Sequence, residues 1–260
     1  VQIGGPTGAF IIIIDGIIQD YGMTGLAIAT VLAGAFLILL GVFRLGTIIR
    51  YIPYPIIVGF TSGIALTIFS TQVKDLLGLQ IEGAVPADFI EKWICYVQNF
   101  GTAELATAIV GILSVVVIAC TPMVSTKVPG SLVAIILMTI AGVVMTSYFG
   151  IHIDTIGDRF EINPSMPTAE VPSLSWEAAK GLISPAITIA ILGAIESLLS
   201  ATVADGIIGH KHDSNQELIG QGIANVLCPF FGGIPATGAI ARTMTNINNG
   251  GKTPVAGVVH

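Results

Sequence analysis

Residues 4–10 read GGPTGAF, and residues 232–239 read GGIPATGA. Each copy sets a Gly pair, a Pro and then Thr-Gly-Ala at the edge of an apolar run. Gly and Pro are poor residues for a helix interior. The run that follows each copy is short, about 7–18 after the first and 236–247 after the second. Both runs therefore read as half-helices, each preceded by a short extended segment.

The surrounding chain says where such segments sit. Of its 260 residues 53% are hydrophobic and 10% charged, and the mean hydropathy is +0.88. A soluble domain carries about 25% charged residues, so this chain lacks the charge to cover a water-facing surface. An all-α, multi-pass integral membrane protein is expected. The 31 glycines suit close helix packing in lipid. A net charge of −6 without any basic run gives no footprint for nucleic acid. Cys95, Cys120 and Cys228 share no metal spacing. The chain opens at Val1 inside an apolar stretch, as expected of a portion of a longer chain.

Further apolar runs cover 24–43, 54–71, 102–121, 130–149, 182–204 and 215–231. Residues 24–43 would span roughly 30 Å as a helix, which matches the hydrocarbon core. In 54–71 the hydroxyls of Thr61, Ser62, Thr67, Ser70 and Thr71 predict one face turned toward protein. Residues 85–100 mix Asp88, Glu91 and Lys92 with Phe89, Trp93 and Tyr96, the pattern of an interfacial amphipathic helix. The stretch 150–180, with Pro164, Pro167 and Pro172, reads as a water-exposed loop. Arg44, Arg50, Lys127, Lys211 and Lys252 fall in short alternate loops. Lys74, Lys92, Arg159 and Lys180 are diluted among carboxylates in long ones. The first set is expected to be cytoplasmic. Cysteine labelling from outside whole cells should then reach position 165 and not 211, and the reverse pattern would invert the topology.

Non-helical backbone at membrane depth is tolerated only where it is buried in protein or lines a cavity. Two Gly/Pro-interrupted segments in corresponding halves of a chain mark the binding site of an inverted-repeat transporter. The positive dipole ends and free N–H groups of two half-helices would meet near the midplane and favour an anion. The plainer alternative is that each Gly-Pro cluster marks a loop-to-helix boundary.

Glu196 lies within ITIAILGAIESLLSATVAD (187–205), and an ionisable group at that depth marks a functional site. Ser200, at i+4, shares its face. A neutral Glu bonded to a neighbouring helix is the alternative. Arg242 sits about one turn into the second half-helix, where the dipole opposes a cation. It needs an anion, a carboxylate partner such as Glu196, or water. Asp205 reads as a boundary residue. HKHD (210–213) lacks further metal ligands. NNGGKT (248–253) has Asn246 where a phosphate loop needs Gly, and it follows no strand. Neither a metal site nor an enzyme's nucleophile–base constellation emerges.

GGPTGAF (4–10), RLGTIIRYIPYPIIVGFTSGIAL (44–66), IESLLSATVAD (195–205), NQELIGQGIANVLCPFFGGIPATGAIART (215–243) and NINNGGKTPVAG (246–257) together resemble the SulP sulfate-permease family of anion transporters, relatives of pendrin and prestin. The resemblance implies a UraA-like fold of two inverted seven-span repeats with core and gate domains. This chain would run from the third span to the start of the eleventh. Spans 1–2 and 12–14 and the STAS domain would lie outside it. It further implies substrate between Pro6, Thr7 and Gly8 on one side and Gly238, Ala239 and Ile240 on the other. Glu196 would serve a coupling ion, H+ or Na+, with no other cofactor. Ile240 stands where sodium-binding relatives often carry a hydroxyl, which favours protons. Implied partners are a small anion, the lipid bilayer of a bacterial inner membrane, and a second copy in a full-length homodimer. Proton-coupled symport of sulfate, bicarbonate, chloride or a dicarboxylate is the leading expectation. A sodium-coupled symporter, an exchanger, a channel-like conductor and a non-transporting scaffold are the alternatives. A nucleobase permease would need a Glu pair beside the half-helices, which is not seen here.

Overall fold

A computed structural model describes residues 1–47, 54–83, 85–86, 88–124, 128–151, 153, 155–159 and 176–260. The proline-rich stretch 160–175, Arg50 and Lys127 lie outside the described residues. The helices are α1 (Ile11–Val42), α2 (Tyr54–Leu77), α3 (Phe89–Gln98), α4 (Leu105–Val124), α5 (Gly130–Phe149), α6 (Ile156–Arg159), α7 (Trp176–Ile208), α8 (Ser214–Leu227), α9 (Ile240–Asn248) and α10 (Val255–Val259). Two short strands, β1 (Gly4–Gly5) and β2 (Thr237–Gly238), and 3-10 turns at Gly8–Phe10, Phe100–Thr102 and Cys228–Phe231 complete the described elements. The chain divides into one unit of residues 1–61 and 166–260 and a second of 62–165.

In the first unit, α1 packs on both α7 and α8. α1 is two helices in one: Gly22 leaves helical geometry at φ 67°, ψ −173°, where a glycine carries no Cβ penalty. The segment before that break is the first half-helix, and the segment after it is the full span expected at 24–43. Leu26, Ala29, Ala33 and Leu37 line one face and meet Leu182, Ala186, Ile189 and Ala190 of α7 in the buried core. These positions recur at helical spacing, and the alanines let the two backbones approach.

Against α8 the approach is closer still. A Cβ added at Gly34 would lie 2.6 Å from the Gly222 carbonyl oxygen, and one added at Gly222 would lie 2.7 Å from that of Gly34. Only backbone fits there, so the two glycines form one contact. Gly34→Val or Gly222→Val should each cost at least about 1–3 kcal/mol by overpacking. Gly220→Ala, with open space around it, should be neutral. Thermal unfolding of the detergent-solubilised protein measures the difference.

In the second unit, α4 packs against α5. Only 11% of the α4 apolar window and 6% of the α5 window are buried, against 50% for α1 and for α7. Leu105, Ile112, Val115, Ile135 and Ile140 are all exposed. Water would not tolerate that much aliphatic surface, whereas lipid solvates it. α3 turns its apolar side outward in the same way. Lys92 and Tyr96 are buried, while Ile90 and Val97 are 69% and 73% exposed. Asp88 caps α3 by accepting from the N–H groups of Ile90 and Glu91. This is the amphipathic helix that residues 85–100 predict.

Three sequence expectations shift. The second half-helix starts at Ile240, not at 236, because Thr237 and Gly238 are held in a strand. α7 starts at Trp176 and not at 182, so the end of the expected loop, carrying Glu177 and Lys180, is an additional helical turn. The run 215–231 splits into α8 and a 3-10 turn over Cys228–Phe231. At 14 residues, α8 reaches about 21 Å, short of the hydrocarbon thickness. On α2, Thr67, Ser70 and Thr71 give their hydroxyl protons to the carbonyls of Gly63, Thr67 and Ile68, one turn back on the same helix. Their hydroxyl protons stay within α2, while Ser70 is fully buried, as a face turned toward protein requires.

Candidate functional site

The two repeated stretches meet. β1 and β2 pair antiparallel, with Gly4 opposite Gly238 and Gly5 opposite Thr237, and the Ala239 N–H donates to the Ile3 carbonyl at 2.9 Å. Because the strands are antiparallel, the chain leaves the pair in opposite directions. On one side it passes Pro6 and Thr7 into a 3-10 turn at Gly8–Phe10 and then α1. On the other it passes Ala239 into α9. Thr7 and Ala239 are both extended at the point of entry, and neither helix start has a side-chain cap. First-turn N–H groups without a cap are donors awaiting an acceptor, at the positive end of the helix dipole.

The matching letters do different jobs in the two copies. The first Gly pair is itself the strand. Gly5 has φ 151°, and a Cβ there would meet the Arg242 guanidinium at 2.8 Å, so both its conformation and its surroundings demand glycine. The second Gly pair closes the 3-10 turn after α8, with Gly232 at φ 71°, and it is Thr237-Gly238 that forms the strand.

Hydrogen bonds from three helices pin this strand pair. The buried Thr237 hydroxyl donates to the Gly193 carbonyl on α7 at 2.8 Å. Asn225 of α8 accepts from the Ala236 N–H at 2.9 Å and donates to the Ala236 carbonyl at 2.7 Å. Thr243 of α9 accepts from the Ile3 N–H at 3.0 Å. Gln2 gives its amide protons to the Ser197 carbonyl and hydroxyl at 3.0 and 3.2 Å.

Glu196 faces the first half-helix, where Thr7 donates its hydroxyl proton to Glu196 Oε2 at 2.7 Å. Glu196 as a residue is 7% exposed. Ser200, fully buried on the next turn, donates its proton to Thr243 Oγ1 at 3.1 Å and so serves α9. Arg242 does not form an ion pair with Glu196 among the described residues. It donates to the Pro6 carbonyl and lies 3.1 Å from His260 Nε2. The guanidinium crosses from α9 to the segment that leads into the other half-helix. It also lines an open cavity of about 420 Å³ with Ile3, Asn246 and His260.

Pro6, Thr7, Gly8, Gly238, Ala239, Ile240 and Arg242 are thus gathered at the strand pair and the two helix starts that leave it. Gln2, Asn225, Thr237, Thr243 and Glu217 were not singled out from sequence. Glu217, Gln221 and Asn225 did carry a readable signal, a polar stripe at i, i+4 and i+8 in an apolar helix. HKHD proves to be a loop clamp. His212 gives its N–H to Asp205 and sets Nδ1 2.7 Å from Asp205 Oδ2. Asp213 caps α8 through the N–H groups of Asn215 and Gln216. No cluster of metal-ligating side chains occurs among the described residues.

Broken helices that start from one strand pair and run in opposite directions define a class, the UraA-like inverted-repeat membrane proteins. Within it, the chain belongs to the sulfate permease family, whose profile matches residues 1–260. It is a multi-pass integral membrane protein. It is 46% identical over 260 residues to the putative sulfate transporter YvdB of Bacillus subtilis, covering 100% of this chain and 48% of that one. It is 32% identical over 264 residues to the bicarbonate transporter BicA of Picosynechococcus, covering 98% and 46%. The transmembrane domain of a cyanobacterial BicA superposes with a TM-score of 0.81 at 29% identity, over 99% of this chain and 66% of that one. SLC26A9 superposes with a TM-score of 0.77 at 19% identity, over 99% and 44%, a likeness of fold alone. The chain spans about half the length of the curated relatives it matches.

Proposed function

We propose that the protein is a secondary transporter of small oxyanions, sulfate or bicarbonate in class, in a bacterial plasma membrane. The observation that carries this reading is the Gly4–Gly238 strand pair, from which two uncapped half-helices leave in opposite directions. An anion seated there would receive backbone N–H donors from both helix starts, with Arg242 beside it as a positive charge. The names of the relatives support the substrate class. Alternating access would carry this site from one face of the membrane to the other, with Glu196 taking up a proton that offsets the anion's charge in a poor solvent. Ile240, the first helical residue of α9, offers no oxygen to a sodium ion from its side chain, and protons are preferred for that reason.

Counterflow of radiolabelled sulfate and bicarbonate in proteoliposomes holding the full-length protein tests the reading. Uptake of one of them, competed by the other oxyanion or by the unlabelled anion, is the expected result. A reconstituted, folded protein that exchanges neither anion would refute it.

A further inference from the structure

The residue after Glu196 works toward a different helix. Ser197 is fully buried and donates its only hydroxyl proton to Glu217 Oε1 at 2.6 Å. Glu217 lies in the first turn of α8, where the helix dipole favours a carboxylate, and also accepts from Gln221 Nε2 at 3.1 Å. With its proton committed to Glu217, the Ser197 oxygen turns a lone pair to Gln2 Nε2. The Gln2 amide in turn packs against Gly238: a Cβ at 238 would collide with it and would come 3.2 Å from Ser197 Cα. A single line of contacts therefore runs from Glu217 through Ser197 and Gln2 to the strand pair.

We propose that Glu217 is a positioning residue for the anion site, acting as a fixed hydrogen-bond acceptor and not as a proton carrier; this rests on the reading of the strand pair as that site. A helical serine readily donates to the carbonyl four residues back. For Ser197 that carbonyl is Gly193, which already receives the Thr237 hydroxyl that anchors β2. Glu217 draws the Ser197 proton away from this carbonyl. Without it, Ser197 turns back on Gly193, competes with Thr237 and no longer orients its lone pair toward Gln2. Both strands loosen from one lost acceptor. The task needs an oxygen with two lone pairs, one for Ser197 and one for Gln221, and an amide carbonyl supplies that as well as a carboxylate does.

The test uses the full-length protein in proteoliposomes, with radiolabelled sulfate as the probe and amide hydrogen exchange as a second readout. Loss of a buried acceptor in Glu217→Ala should raise the half-saturating sulfate concentration roughly tenfold, while Glu217→Gln stays within about twofold of wild type. Exchange in Glu217→Ala should rise at residues 2–8 and 236–241 and stay unchanged through 24–40, the span of α1 buried in the core. Ser197→Ala removes the hydroxyl contact with Gln2 but leaves the Gly193 carbonyl to the Thr237 hydroxyl alone, so exchange should rise at residues 2–8 and rise less at 236–241 than in Glu217→Ala. A Glu217→Gln variant as impaired as Glu217→Ala would overturn the proposal, and so would exchange that rises throughout the unit or nowhere. A wild-type protein that carries no sulfate would count against the anion reading alone, since the exchange pattern still decides the role of Glu217.

Discussion

A Gly238→Leu variant is expected to reach the membrane and carry no anion. Gly238 is buried in the strand pair, opposite Gly4, with the Gln2 amide over its α-carbon and Ser197 Cα within 3.2 Å of any added Cβ. A leucine there must push Gln2 out of its bonds to Ser197 and lift β1 away from β2. Much of the core of α1, α7 and α8 is built from other residues, among them Leu26, Ala33 and Leu182, so the fold should survive. Displacing a binding group by about 1 Å costs on the order of a hundredfold in a positioned reaction. Uptake should fall by at least that factor. A bulky residue at Gly8, where the first 3-10 turn begins, should act in the same direction. Surface expression measured beside proteoliposome uptake separates a lost site from a lost fold. Normal uptake by Gly238→Leu would remove the strand pair from the transport path.

The broken helices were legible because lipid leaves so few alternatives. A Gly-Pro interruption at the head of a short apolar run has to be sheltered, and a second copy in the other half names its partner. Repetition does not say which letters pair, however. Gly4-Gly5 lies opposite Thr237 and Gly238 because the second Gly pair is spent on ending the turn at Cys228–Phe231. The half-helix at 236–247 began late for the same reason. Glu196 stood out as a lone carboxyl group in an apolar helix. Its partner Thr7, 189 residues away, follows only once the two halves are folded together. Ser200 shares the helical face of Glu196 by spacing, yet its hydroxyl goes to Thr243, since a buried hydroxyl takes whichever acceptor the adjoining helix supplies. Trp176 and its neighbours read as loop because Glu177 and Lys180 break the apolar pattern. A helix can nevertheless extend past its apolar run, because polar residues such as Glu and Lys are good helix formers.

Glu196→Gln is expected to abolish concentrative uptake while leaving anion binding and exchange in place. The glutamine carbonyl can still accept the Thr7 hydroxyl proton that Glu196 Oε2 receives at 2.7 Å, so the entry to the first half-helix keeps its geometry. What glutamine lacks is the ability to titrate. On the proposed proton-coupled reading, an anion arriving beside Thr7 and Gly8 would meet a carboxyl group that neutralises itself by binding a proton, and the two would leave together. Wild-type uptake should therefore rise as the outer side is made more acidic, with the sign set by the proposed symport, in which protons would enter with the anion. In the variant the same proton gradient should drive no accumulation, and exchange of internal for external anion should run at a rate within about tenfold of wild type, the span of a modest binding change. Proteoliposomes with imposed pH and sodium gradients decide between the outcomes. Accumulation by Glu196→Gln in step with the proton force would show that another group carries the proton. A wild-type protein that needs sodium and ignores pH would make the Thr7–Glu196 pair part of a cation site, with the oxygen that Ile240 lacks supplied by backbone carbonyls beside it.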